Sequence, residues 1–160
     1  MKQIIISPYS RLLRNNVKDH PKDYPYFEEV ALELKKHGFE LIQVGCGSEK
    51  KLLNADRYEF DLHMRDLKVL LDESYTWVSG DNFFPHFANF YKKIGVAIFG
   101  RSDPKIFGYT SNINLLKSDS YLRDDQFWIW DDCLFESDVF VSAKLVVASV
   151  LSLGDTLDDT

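Results

Sequence analysis

Cysteine is scarce in this chain: Cys46 and Cys133 are the only two among 160 residues. Neither sits in a CxxC pair or beside a histidine at ligand spacing, which excludes a disulfide framework and a zinc site. A reducing cytoplasm is the default expectation for such a composition. Long hydrophobic runs are also missing. The opening Met1-Lys2-Gln3-Ile4-Ile5-Ile6-Ser7 is too short for a secretory leader. No stretch comes near the roughly 18 apolar residues of a membrane span, so no membrane span is expected. Positive charge is in deficit, with 19 Lys+Arg against 25 Asp+Glu and a net charge of −6. That argues against nucleic acid as a partner, because broad binding to a phosphate backbone needs the opposite sign.

What is present is an ordinary globular balance, 45% hydrophobic and 28% charged, with aromatics at 14%. Disorder and fibrous repeats are excluded on that basis. The length suits one domain, residues 1–160, with residues 117–160 forming an aromatic and acidic C-terminal extension and a closing helix.

The chain alternates between strand and helix patterns. Gln3 to Ser7 is a β-branched run closed by Pro8, the pattern of a strand buried on both faces. A basic loop with Arg11, Arg14, Lys18 and Lys22 leads to Phe27, Val30, Ala31 and Leu34 at helical spacing. Lys35-Lys36-His37-Gly38 ends that helix. Phe39 to Val44 is a second strand, followed by a helical turn with Glu49 and Leu52-Leu53, then an irregular piece. A helix over 66–73, a strand over 75–79 and a helix over 83–91 with Phe87 and Phe90 toward the sheet come next. Val96 to Phe99 is a fourth strand between glycines, and 112–116 a fifth. Residues 139–151 read as the closing helix. This order predicts an α/β fold: a doubly wound, mostly parallel sheet with helices on both faces.

In such sheets ligands sit beyond the carboxyl ends of the strands, and there this sequence concentrates its reactive residues. The first loop offers Ser7, Ser10, Arg11, Arg14 and Lys22 near a helix start, where guanidinium groups and helix amides bind phosphate; a solvated basic loop is the plainer reading. Gly80-Asp81-Asn82-Phe83-Phe84-Pro85-His86 combines a tight turn with a helix start, and an N-cap with a structural histidine is its alternative. Gly100-Arg101-Ser102-Asp103-Pro104-Lys105 permits close ligand approach, or is a turn.

Together these spacings resemble the C-terminal, nucleotide-binding half of family 9 glycosyltransferases, the heptosyltransferase group with the two-domain GT-B fold. The resemblance runs from Ile4 to about Leu116. Lys22-Asp23-Tyr24-Pro25, followed by Phe27 and Leu34, is similar to that family's Lys-x-Trp-Pro helix entry, with Tyr24 for Trp. Val44-Gly45 with Glu49 is similar to its strand-Gly-x-x-x-Glu segment. Asp81 and His86 match its Asp-x-x-x-x-His spacing. Val96-Ala97-Ile98-Phe99-Gly100-Arg101-Ser102-Asp103-Pro104 matches its apolar strand followed by Phe-Gly-x-Ser/Thr-Asp-Pro. Where the family has Ser or Thr and then Gly after the Asp, this chain has Asn82 and Phe83.

The resemblance implies a single Rossmann-like domain that binds a nucleoside-diphosphate sugar, with no cofactor and no metal. By that implication Lys22 contacts the diphosphate, Glu49 the ribose hydroxyls, Asp81 the sugar or phosphate, and the amides after Asp81 the diphosphate. His86 supports the loop. Ser7, Arg11, Arg14, Asn82, Phe83, Ser102 and Asp103 complete the expected binding set. Family members draw their acceptor site and catalytic carboxylate from an N-terminal domain, so the catalytic residues stay unassigned. A homodimer mate or a separate acceptor-binding subunit would complete the cleft. Three readings stand at this point: a transferase working with such a partner, a non-catalytic nucleotide or nucleotide-sugar binding module, and a structural domain without a ligand. Tyr121, Phe127, Trp128, Trp130 and Phe135, set among Asp131, Asp132 and other acids, read either as packing over the sheet edge or as an interaction surface. Asp131 or Asp132 as a replacement base has no support in the sequence.

Overall fold

The apolar residues of each strand alternate between two faces, and the fold uses both. In the computed structural model the described residues are 1–11, 13 and 19–158, with side chains described through 154. Among them six strands form one parallel sheet: β1 (Gln3–Ser7), β2 (Glu40–Gly45), β3 (Arg57–Phe60), β4 (Thr76–Gly80), β5 (Val96–Phe99) and β6 (Ile113–Leu116), in the order β3-β2-β1-β4-β5-β6. This is the α/β Rossmann-like arrangement expected from the sequence. The strand order reverses between β1 and β4, so their loops diverge and leave a crevice at the carboxyl edge.

Ile5 lies level with Ile42 on β2 and Trp77 on β4. With Phe99 they face α2 (Met64–Glu73) and α3 (Phe83–Phe90) through Leu67, Leu70, Leu71, Phe84 and Phe87. Ile4 and Ile6 point the other way, into a core shared with α1 (Phe27–Lys36) and α5 (Ala143–Asp158). A short helix, α4 (Pro104–Phe107), follows β5 with Asp103 as its cap.

Four expectations need correction. Glu49 and Leu52-Leu53 form no helical turn. The buried Gln43 side chain accepts the Leu52 N–H at 2.7 Å and donates to the Lys50 carbonyl at 2.9 Å, while Glu28 accepts the Leu53 N–H at 2.6 Å. Side chains thus take the amides a helix would have used. Second, the irregular piece after them contains β3, an edge strand that pairs Arg57 with Ile42 and Phe60 with Gly45. Third, Phe84, not Phe90, joins Phe87 on the sheet-facing side of α3, and Phe90 is 77% exposed. The 3.6-residue period carries position 90 off the face that 84 and 87 share.

Fourth, Ser137–Gly154 is long and apolar enough, at a mean hydropathy of 1.5, to cross a membrane by length and composition. Polar residues such as Ser142, Lys144 and Ser149 interrupt the run, which is why no unbroken apolar stretch stands out. Here the segment ends in a core helix whose Val146, Val147, Val150 and Leu153 are buried and which packs on α1, β4 and β5.

Candidate functional site

At the crevice beyond β1 and β4 the loops enclose a cavity of about 690 Å³, within the range of small-ligand pockets. The loop after β1 contributes Ser7, Tyr9, Ser10, Arg11 and Lys22. Gly45, Cys46 and Glu49 come from the loop after β2, and Asp81, Asn82, Phe83 and His86 from the turn into α3. Ser102 enters from the β5 loop and Trp130 from the segment after β6. The structure therefore gathers nine of the expected binding residues around one space. Asp103 is not among them: its carboxylate caps α4 by accepting the Lys105 N–H at 2.9 Å, and its own N–H donates to the Gln126 Oε1 at 2.8 Å. Arg14 lies outside the described residues.

Not all nine are free to meet a ligand. Asn82 Oδ1 accepts the Phe84 N–H at 2.9 Å and the Ser79 hydroxyl at 3.0 Å; its Nδ2 donates to the carbonyls of Ser7 and Tyr9 at 3.0 and 3.2 Å. It ties β1 to β4 and caps α3. The helix start is correspondingly short of donors: Asn82 N–H is taken by the Gly80 carbonyl, Phe84 N–H by the cap, and Pro85 has none. His86 Nδ1 lies 2.7 Å from the Tyr109 hydroxyl, a contact that braces the helix against the loop before β6.

Asp81, by contrast, is only 8% exposed and its carboxylate has no hydrogen-bond partner among the described residues. Lys22 likewise makes no hydrogen bond through its ammonium there. The Lys22 backbone is fixed by its N–H donating to His20 Nδ1 at 3.1 Å, and its Nζ lies 5.7 Å from the centre of the Trp130 ring.

The cavity also carries acidic groups. Glu49 is half-buried, and burial, assisted by the charges of Asp23 and Asp61, pushes its carboxyl up to about 7. Its Oε2 is fully enclosed and lacks a hydrogen-bond partner among the described residues. The same carboxylate packs against Gly45, where any Cβ would overlap it, so the Gly-x-x-x-Glu spacing has a steric cause. Glu59 and Asp61 line the cavity as well. Beyond Glu49 the space continues into a second hollow of about 910 Å³ over Tyr24, Glu28 and Phe135. Asp23 borders it, raised to about 6 by burial despite accepting the Ser10 N–H at 2.8 Å. Apolar Val44, Leu62, Met64 and Leu67 floor the first cavity near β2 and α2.

Sequence reasoning missed Tyr9, Cys46, Glu59, Asp61 and Trp130 as cavity residues. Tyr9 and Cys46 adjoin residues that had been singled out, whereas Trp130 reaches the site only through the path of the chain after β6. Asp131 and Asp132 do not line the cavity, and Asp132 accepts the Trp128 indole N–H at 2.8 Å.

No protein-family model and no curated protein sequence matches the chain. Solved structures do match in fold. Escherichia coli ADP-heptose LPS heptosyltransferase II superposes with a TM-score of 0.71 at 13% identity, over 95% of this chain and 46% of that one. The dodecameric iron-containing heptosyltransferase TibC in complex with ADP-D-β-D-heptose gives 0.70 at 15% identity, over 99% of this chain and 45% of that one. TibC from enterotoxigenic E. coli H10407 gives the same values. The chain thus spans about half the length of these proteins and has the fold of one heptosyltransferase-like half. The superposition extends past Leu116 into the C-terminal segment, beyond the reach of the sequence resemblance.

Proposed function

We propose that the chain binds a nucleoside-diphosphate sugar in this cleft and serves as the donor-binding half of a glycosyltransferase. The mixed lining of the cavity carries the reading: the Lys22 ammonium, which makes no hydrogen bond among the described residues, and the Arg11 guanidinium share it with Glu49, whose enclosed Oε2 has no partner there. A nucleotide sugar carries the complementary groups. Its ribose hydroxyls would donate to Glu49, its diphosphate would meet Lys22 and Arg11, and its base would rest on the apolar floor at Met64 and Leu67. Ser7, Ser102 and Phe83 would complete the walls. Asp81 would then face the sugar end of the diphosphate.

In transfer, charge accumulates on the departing diphosphate, and Lys22 and Arg11 would stabilise it as the bond to the anomeric carbon breaks. The acceptor hydroxyl must be held in line with that carbon. A second subunit or a homodimer mate would present it and supply the general base. The TibC complex holds ADP-heptose, which makes adenine nucleotides the first probes.

The other reading is a binding module that holds the nucleotide without turnover. A calorimetric titration of the purified chain with ADP, GDP, UDP and ADP-heptose tests the common core of both. Binding of one diphosphate series, weakened by Lys22→Ala, is the expected result. Failure of every nucleotide to bind would remove the donor-site reading. Release of free ADP from ADP-heptose in the presence of an acceptor separates the transferase from the module.

A further inference from the structure

We infer that Trp130 is a positioning residue of this cleft, which holds the Lys22 ammonium at the diphosphate end and walls that end of the cavity. The inference rests on the donor-site reading and deepens it, because it assigns a role to the segment after β6 that neither the motifs nor the fold comparison supplies.

That segment is built as a strap across the carboxyl edge of the sheet. It leaves β6 and is secured to the β5 loop by the Arg123 N–H, which donates to the Arg101 carbonyl at 3.1 Å, and by Gln126. Oε1 of Gln126 accepts the Asp103 N–H at 2.8 Å, and Nε2 donates to the carbonyls of Arg101 and Arg123 at 3.1 and 2.8 Å. Arg123 then braces the next stretch. Its Nη2 donates to the carbonyls of Trp128 and Ile129, both at 2.8 Å, and its guanidinium carbon lies 3.8 Å from the centre of the Trp130 ring. Further along, the strap is tied to α1's entry, where the buried Tyr24 hydroxyl donates to the Val141 carbonyl at 2.9 Å. Trp130 therefore stands on a fixed backbone with a cation packed against its ring.

The same ring meets the loop after β1. Lys22 Nζ is 5.7 Å from its centre, within cation–π range, and the buried His20 ring is 5.6 Å away. His20 anchors the Lys22 backbone from the other side by accepting its N–H. Burial and the charges of Lys22 and Arg123 hold the His20 imidazole down to about 4, so it stays neutral and keeps Nδ1 available as that acceptor. Lys22 is thus fixed at both ends. An aromatic face attracts an ammonium without neutralising it and without occupying its three N–H donors. A carboxylate in that place would do both. The arrangement leaves the lysine oriented and charged, with no hydrogen bond from its ammonium among the described residues that would compete with a diphosphate.

The experiment compares ADP with adenosine, which carries the same base and ribose but no phosphate. Titrations use the full chain and its Trp130→Ala, Trp130→Phe, Lys22→Ala and Trp130→Ala/Lys22→Ala variants, each checked for cooperative thermal unfolding. Trp130→Ala is expected to weaken ADP binding about tenfold and to leave adenosine within twofold. Trp130→Phe, which keeps an aromatic face, should recover most of the loss. Adding Trp130→Ala to Lys22→Ala should cost nothing further, because the two act through one ammonium. ADP should also change the indole emission of the wild-type chain, and Trp130→Phe should abolish that change.

Equal losses for ADP and adenosine, or a full Trp130 effect on the Lys22→Ala background, would overturn the inference and make Trp130 a packing residue. ADP bound normally by Trp130→Ala would overturn it while sparing the donor-site reading. Wild-type chain that binds none of ADP, GDP and UDP would overturn both. If Trp130→Ala fails to unfold cooperatively, Trp130→Phe and the emission change decide the matter.

Discussion

The Glu49 carboxylate rests directly on the backbone of Gly45, in the space that a side chain at position 45 would fill. The glycine at the end of β2 thereby sets where the carboxylate points, and its enclosed Oε2 has no hydrogen-bond partner among the described residues. Gly45→Ala would push that carboxylate away but would also strain the end of β2, because Gly45 has a φ of +155°, so Glu49→Gln, which leaves the backbone alone, tests the contact. The expected result is a loss of about tenfold in affinity for ADP and for adenosine alike, the scale of one charge-assisted hydrogen bond. Calorimetric titration of both ligands checks it. Unchanged adenosine affinity would separate Glu49 from ribose recognition.

The raised Glu49 carboxyl also makes a pH prediction. Its value in the fold, about 7, stands above the ordinary 4.5, so the folded chain holds this proton more tightly than the unfolded chain. Its contribution to stability is fully present below about 4.5 and is lost as pH rises through about 7. Asp23, raised to about 6, acts in the same direction. His20, lowered from 6.5 to about 4, acts in the opposite one, costing stability as pH falls through that window. The three overlap in the wild-type curve, and single variants separate them. Glu49→Gln should be little different from wild type at about pH 5 and more stable than it at about pH 8. Urea unfolding midpoints at the two values test this, and a gap that shrinks with rising pH would contradict it.

The sheet was legible wherever local pattern and burial agree. Ile4-Ile5-Ile6 and Val96-Ala97-Ile98-Phe99 are buried on both faces, so an unbroken apolar run marked them as interior strands. β3 escaped because Arg57-Tyr58-Glu59-Phe60 is an edge strand with no buried residue, held by pairing to β2 instead of by its own hydrophobicity. The run around Glu49 and Leu52 looked helical because its leucines have helical company, but the competing acceptors, Gln43 and Glu28, lie elsewhere in the chain. The cavity lining was legible in the strand-end loops, because a doubly wound sheet brings those loops together at its carboxyl edge. Trp130 was not, since only the course of the strap after β6 carries it back to Lys22. The position of Asn82 suggests a ligand contact, while its five side-chain hydrogen bonds tie it to the scaffold.

Asp81 and Asn82, neighbours on the same turn, should therefore answer substitution in opposite ways. Asn82→Ala removes the cap of α3 and the link from β4 to the Ser7 and Tyr9 carbonyls. Buried groups deprived of partners cost about 1–3 kcal/mol, so a clear fall in denaturant midpoint is expected. Asp81→Asn keeps the shape of a buried side chain whose carboxylate has no partner among the described residues, and it should leave the melting temperature within about 2 °C. Its effect should fall on the ligand instead, as a severalfold change in the affinity for ADP-heptose relative to adenosine. Paired thermal melts and titrations of the two variants decide it. A stability loss for Asp81→Asn as large as that for Asn82→Ala would show that Asp81 holds the turn together, and would leave the sugar end of the cleft without its carboxylate.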